Sequence, residues 1–174
     1  MKKLFATIAV SAVISTGPVF AAGFGQWDKD SDGHISMSEF RAGFQDQGWF
    51  DTWDTDNSRT LNPPEFYRGM FDAWDQDGDG TLSVQEWDDG VDAIWEEDPV
   101  NFALGSWDTD GNGKLSKTEF MKSMAEARFF DVLAGRDADL TEREFARSLF
   151  NWFDDDSDGN LNQAQFDHMS MFVS

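Results

Sequence analysis

Apolar side chains recur at spacings of three along the chain, as in Phe50 and Trp53, Phe71 and Trp74, or Phe150 and Phe153. Such spacing sets them on one face of a helix. Each of these pairs runs directly into a polar stretch, most of them rich in Asp and Gly. A single aliphatic residue follows, with an aromatic five positions beyond it: Ile35 and Phe40, Leu61 and Phe66, Leu82 and Trp87, Leu115 and Phe120, Leu140 and Phe145, Leu161 and Phe166. No run of alternating polarity is long enough for a sizeable sheet. The pattern predicts helix, loop, helix six times over: an all-α fold whose only β structure is short pairing between loops.

The connectors set further limits. Residues 66–74 and 145–153 are the only chain between successive loops there, and nine residues span about 13 Å as a helix. Each must be one helix shared by two loops. Phe66, Met70 and Trp74 share one side with Tyr67 and Phe71 adjacent, so this helix is expected to be buried on most faces. The longest connector runs from Trp87 to Trp107. The pattern leaves open which loops pair with which.

Self-similarity organises the chain at a higher level. Gly25–Phe40 (GQWDKDSDGHISMSEF) matches Gly105–Phe120 (GSWDTDGNGKLSKTEF) at an offset of 80, and Phe66–Asp75 matches Phe145–Asp154 at 79. One residue has been lost in between. Asp98-Pro99 marks the junction, which divides the chain into repeat units at 22–99 and 100–174. Ahead of them, Lys2 and Lys3, the apolar run from Leu4 to Ile14, the Gly17-Pro18 breaker and Val19-Phe20-Ala21 have the layout of a secretory leader over 1–21. The run is short of the roughly 20 residues of a membrane span, so a periplasmic or secreted chain is expected, with no membrane span after cleavage.

Composition narrows the chemistry. The formal charge is −21, which argues against nucleic acid as a partner. Seventeen Phe and eight Trp supply a core despite that charge. With no Cys, thiol catalysis and Cys-ligated metals are excluded. His34 and His168 have no nucleophile or base at a catalytic spacing, so no enzyme activity is expected.

The acidity is concentrated in the loops, where it has a specific use. Ca²⁺ takes six to eight oxygens, and a twelve-residue loop supplies them from positions one, three, five, seven, nine and twelve. The loop from Asp28 offers Asp28, Asp30, Asp32, the carbonyl of His34, Ser36 and Glu39, with Gly33 at the sharp turn. The loop from Asp75 offers Asp77, Asp79, Thr81, Ser83 and Glu86 after its first residue. The loop from Asp108 offers Asp110, Asn112, Lys114 through its carbonyl, Ser116 and Glu119. In each, the residues at nine and twelve form Ser-x-x-Glu, the capping box that starts a helix.

These motifs make the chain resemble the EF-hand superfamily over nearly all of 22–174. The resemblance implies an array of six hands with Ca²⁺ as the ligand. Three loops are expected to fill first and five at most. The loop from Asp54 keeps Asp54, Asp56, Ser58, Thr60 and Glu65 but has Arg59 where Gly belongs, and Pro63-Pro64 suit a helix start. The loop from Asp154 keeps Asp156, Asp158 and Asn160 but closes on Gln165, which lacks the charge of Glu. The copy framed from Leu133 has lost its ligands and reads as a packing partner.

A Ca²⁺ buffer or Ca²⁺-dependent structural module is the function this implies. The alternatives are a sensor that exposes an aromatic surface to a protein partner, and a lanthanide binder. The lanthanide-binding relatives carry Pro at position two and Asp at nine. This chain has Lys29, Thr55, Gln76, Thr109 and Asp155 at two, and Ser or Asn at nine, in its candidate loops.

Overall fold

The computed structural model describes residues 23–94, 103–135 and 139–173; the expected leader at 1–21 and the expected junction at 98–99 lie outside them. The first half runs α1 (Phe24–Trp27), β1 (Ile35–Ser36), α2 (Met37–Gln47), α3 (Trp49–Trp53), β2 (Thr60–Leu61), α4 (Pro63–Trp74), β3 (Thr81–Leu82) and α5 (Val84–Ile94). The second half repeats it with α6 (Leu104–Trp107), β4 (Leu115–Ser116), α7 (Lys117–Ala127), α8 (Phe129–Ala134), β5 (Leu140–Thr141), α9 (Glu142–Phe153), β6 (Asn160–Leu161) and α10 (Gln163–Val173). The fold is mostly helical with small antiparallel strand pairs. Among the described residues no helix is long and apolar enough to cross a membrane.

Local chemistry explains the breaks. Helices α2, α4, α7 and α9 each open on a reciprocal capping box, from Ser36, Asn62, Ser116 and Thr141. The connectors at 40–53 and 120–132 are split by a left-handed residue, Gly48 (φ 68°) between α2 and α3 and Arg128 (φ 57°) between α7 and α8. The nine-residue connectors lie wholly within α4 and α9, each a single helix between two loops. On α4, Phe66, Tyr67, Met70, Phe71 and Trp74 are all buried.

The strands pair in a nested order: β1 with β6, β2 with β5, β3 with β4. Opposite one another stand the loops' eighth residues, Ile35 with Leu161, Leu61 with Leu140, and Leu82 with Leu115. Every ladder therefore joins one repeat unit to the other. The duplication maps β1 onto β4, β2 onto β5 and β3 onto β6. It therefore carries the β1·β6 ladder onto β4·β3 and the β2·β5 ladder onto itself. An approximate two-fold axis runs through the middle ladder, and the packing of α2 against α9 is the image of that of α7 against α4.

Aromatic rings fill the space around this axis. Phe66 and Phe145, equivalent in the duplication, meet edge to face with centroids 5.8 Å apart. The buried Tyr67 hydroxyl accepts the Phe130 N–H at 3.1 Å, a further tie between the halves. In the first half, each Trp that precedes a loop lies over a helical Gly sixteen residues later. A Cβ on Gly43, Gly69 or Gly90 would fall 2.5, 2.1 or 2.3 Å from the ring of Trp27, Trp53 or Trp74. These glycines let the indoles reach the helix backbone.

The axis also locates the missing residue. Gly48 and Arg128 correspond at an offset of 80, whereas Leu61 and Leu140 correspond at 79. The deletion falls between Arg128 and Leu140. A twelve-residue frame starting at Leu133 does not hold, because Leu133 and Ala134 are the last residues of α8, with Leu133 packed against the core.

Candidate metal centre

Five groups of carboxylates converge, one in each loop whose ligands survive. They are Asp28, Asp30 and Asp32; Asp54, Asp56 and Glu65; Asp75, Asp77 and Glu86; Asp108, Asp110 and Glu119; and Asp154, Asp156 and Asp158. Within each group one oxygen per residue lies within 4.8 Å of the others. Oxygens bound to one Ca²⁺ at about 2.3 to 2.6 Å are at most about 5 Å apart, so each group fits inside a single Ca²⁺ shell. The donors are all oxygen, which suits a hard cation rather than zinc.

The loop backbone holds these carboxylates in place. In every one of the five loops, the first Asp accepts N–H groups from positions five and six, as Asp28 does from Asp32 at 3.2 Å and Gly33 at 3.0 Å. The N–H of position seven, from His34, Thr60, Thr81, Lys114 or Asn160, ties down the side chain at five. In the second loop the Ser58 hydroxyl also donates to the Thr60 carbonyl at 3.0 Å, so a prospective ligand oxygen is already engaged.

Position twelve closes each loop. Glu39 Oε1 accepts the Lys29 and Asp30 N–H groups at 2.8 and 3.3 Å, while its Oε2 accepts Ser36 N–H and hydroxyl at 2.9 and 2.7 Å. Glu65, Glu86 and Glu119 repeat the backbone contacts. The Ser36 hydroxyl and the backbone donors hold Glu39 down to about 2, and Ser116 with Thr109 does the same for Glu119. Both are poised as anions. Gln165 differs: its Oε1 accepts Asn162 N–H at 2.8 Å and its Nε2 donates to Asp155 Oδ1 at 2.5 Å. A donor thus points where the other loops present an acceptor.

The turn demands two left-handed residues, not one. Position six is Gly33, Gly80, Gly113 and Gly159 in four loops and Arg59, at φ 68°, in the other. The expected strain at Arg59 is present, roughly 1 to 2 kcal/mol for a side chain in this region. Position four is also left-handed, at Ser31, Asn57, Gly78, Gly111 and Ser157. Sequence reasoning missed that requirement, although two of the five are Gly. It also missed Asn62, Thr141 and Asn162 as the counterparts of the capping serines, each meeting the residue three positions on.

Two expected ligands stand apart from their groups. Glu39 lies outside the carboxylate group of its own loop. Asp79 is held instead by Lys114 of the paired loop, with Nζ to Oδ2 at 2.5 Å, and that ammonium keeps it down at about 2. A family model described as EF hand matches residues 20–45, 66–91 and 107–125. The chain belongs to the EF-hand superfamily. Those segments carry the three loops with complete ligand patterns, from Asp28, Asp75 and Asp108. No curated protein matches the sequence. EF hands bind calcium, and the acidic groups of this EF-hand chain fit that ion.

Proposed function

We propose that this EF-hand chain is an exported calcium buffer or calcium-dependent structural module, loaded chiefly as two pairs of sites. The β3·β4 pair joins the complete Asp75 and Asp108 loops. The β1·β6 pair joins the complete Asp28 loop to the Gln165-closed loop. The middle pair joins the Arg59 loop to the copy without ligands, so it holds one ion at most. The ligands are those of the five loops, with position seven contributing its carbonyl. Export rests on Lys2-Lys3 and the apolar run to Ile14.

One observation carries the buffer reading over a sensor. Glu39, Glu65, Glu86 and Glu119 already reach across to positions two and three while the aromatic core is shut. Sensor hands open an apolar groove on loading, whereas buffer hands barely open. In the loops from Asp54, Asp75 and Asp108 the closing carboxylate already lies with the others and needs no helix to swing. Among the described residues the exposed large apolar side chains are Val84 and Val132, which lie on different helices.

Native mass spectrometry across a Ca²⁺ series, with a hydrophobic dye added in parallel, tests this reading. Three ions are expected first, a fourth at higher Ca²⁺ and a fifth last, with dye fluorescence unchanged. Dye binding that rises on loading would establish the sensor alternative, and six specific ions or fewer than three would overturn the assignment of loops.

A further inference from the structure

The approximate two-fold axis provides an internal control, because each surface at one end of the molecule has a counterpart at the other. Where α2 packs against α9, a cavity of about 580 Å³ opens, with Met37 and Phe150 among its apolar walls and Arg41, Arg143 and Arg147 on its rim. Three of thirteen basic residues in a chain of charge −21 gather here. Among the described residues none of the three guanidiniums donates a hydrogen bond or closes an ion pair.

The equivalent surface, between α7 and α4, is neutralised. Lys117 stands at the place of Met37, bonded to Asp72 and lying 5.1 Å over the ring of Phe71. Asp72 corresponds to Asn151, Met121 to Arg41 and Pro64 to Arg143. Arg68, the counterpart of Arg147, is committed to the Trp53 carbonyl at 3.2 Å and the Thr55 hydroxyl at 2.6 Å. In the second half the matching carbonyl, that of Leu133, is taken by the Ser148 hydroxyl at 3.0 Å. Among the described residues Arg147 therefore lacks the anchor that holds Arg68. Arg41 and Arg143 add positive charge on the α2·α9 side, Asn151 removes a carboxylate and Arg147 lacks the partners of Arg68, while Met37 puts an apolar side chain in the place of a lysine.

We propose that this cavity binds a small organic carboxylate bearing an apolar body. Guanidinium forks match carboxylate oxygens two at a time, Met37 and Phe150 supply an apolar wall, and the volume is within the range of about 300 to 1,000 Å³ of small-molecule sites. Two carboxylates share the wall, Glu144 held by Thr141 N–H and hydroxyl at 2.9 and 2.6 Å and Asp154 by the Asp158 and Gly159 N–H groups at 3.1 and 3.0 Å, so both compete weakly for the arginines.

The test titrates 4-phenylbutyrate into the full chain at saturating Ca²⁺, with the isosteric 4-phenylbutanamide as the neutral control. The carboxylate should bind about tenfold tighter than the amide, and Arg147→Gln should weaken it about fivefold, the loss of one charge-assisted pair. The triple Arg41→Gln, Arg143→Gln, Arg147→Gln variant should reduce the carboxylate to the level of the amide, while Lys117→Gln at the opposite end changes nothing. Amide NMR shifts should map to Asn151 and Gly159 and spare Asp72 and Gly80. Equal binding of acid and amide, binding that survives in the triple variant with its circular dichroism intact, or no binding of either would overturn the proposal.

Discussion

The close seating of Trp53 on Gly69 invites a substitution whose sign is informative. In an exposed helix, Gly→Ala stabilises by about 1 kcal/mol. At Gly69 the new methyl would start 2.1 Å from Trp53 Cδ2, and also 2.5 Å from Cε2 and Cγ. Neither ring nor helix can retreat freely, since Trp53 is also packed on Phe66 and Phe145 at centroid distances of 5.8 and 5.3 Å. Overpacking of this kind costs about 1 to 3 kcal/mol. The balance is a net destabilisation of up to about 2 kcal/mol, or up to about 4 to 8 °C in Tm for a domain of this size. Gly25, in α1, has nothing within 4 Å of its Cβ position, so Gly25→Ala should leave Tm level or raise it. Because Trp53 immediately precedes Asp54, Gly69→Ala should also shift tryptophan emission. Thermal melts at fixed Ca²⁺ decide the matter: if Gly69→Ala raises Tm as Gly25→Ala does, the indole-on-glycine seat is not a close-packed contact.

The remaining expectations concern the loops. Gln165→Glu replaces the donor facing Asp155 by a second acceptor and should strengthen the sixth loop by about tenfold, as ligand charge rises, with the fourth calorimetric step moving to lower Ca²⁺. Arg59→Gly relieves the left-handed strain and should raise metal-free stability by up to about 1 kcal/mol in urea melts, while tightening the last step of the titration. Glu144 is held below the ordinary Glu range, first by the Thr141 hydroxyl and then by its N–H. Its contribution to stability is therefore complete above the unfolded-state value and lost as pH falls through the lower folded one; carboxyl NMR titration should show Thr141→Val moving Glu144 back up.

How far the sequence could be read follows from what each feature depends on. Ligands, capping boxes and the shared helices α4 and α9 are set by residues within one loop or one connector, and they stand in the structure where the spacing puts them. Pairing is different. All six eighth positions are Ile or Leu, so Ile35 carries no mark that selects Leu161 over Leu61 or Leu115. Only the assembled core distinguishes them. The Asp79–Lys114 contact was hidden for the same reason, since it exists only once β3 and β4 are side by side. The Trp–Gly seats were legible in principle, because Trp27–Gly43, Trp53–Gly69 and Trp74–Gly90 share one spacing. That spacing joins a loop's entering helix to its exiting one, which a search for helical periodicity does not test.

The nested pairing also brings the loop with Arg59 at its turn against the copy without ligands, so that the two are partners across the axis. Their ladder is flanked by Phe66 and Phe145, which meet on the axis, and by Phe44, Trp53 and Phe130, which contact these rings. The Tyr67 hydroxyl adds a buried hydrogen bond beside them. Rings and hydrogen bonds hold the middle pair from beneath, so its geometry does not depend on an ion in either loop. At the outer pairs Asp28 and Asp154 are buried and Asp75 and Asp108 half-buried, and the loop backbone turns around them. There the charge of Asp28, Asp75, Asp108 and Asp154 is offset only by backbone N–H groups unless a cation binds. Metal should therefore stabilise the two ends of the molecule far more than its centre, and chelation should loosen the ends first while the middle ladder keeps its protection from hydrogen exchange.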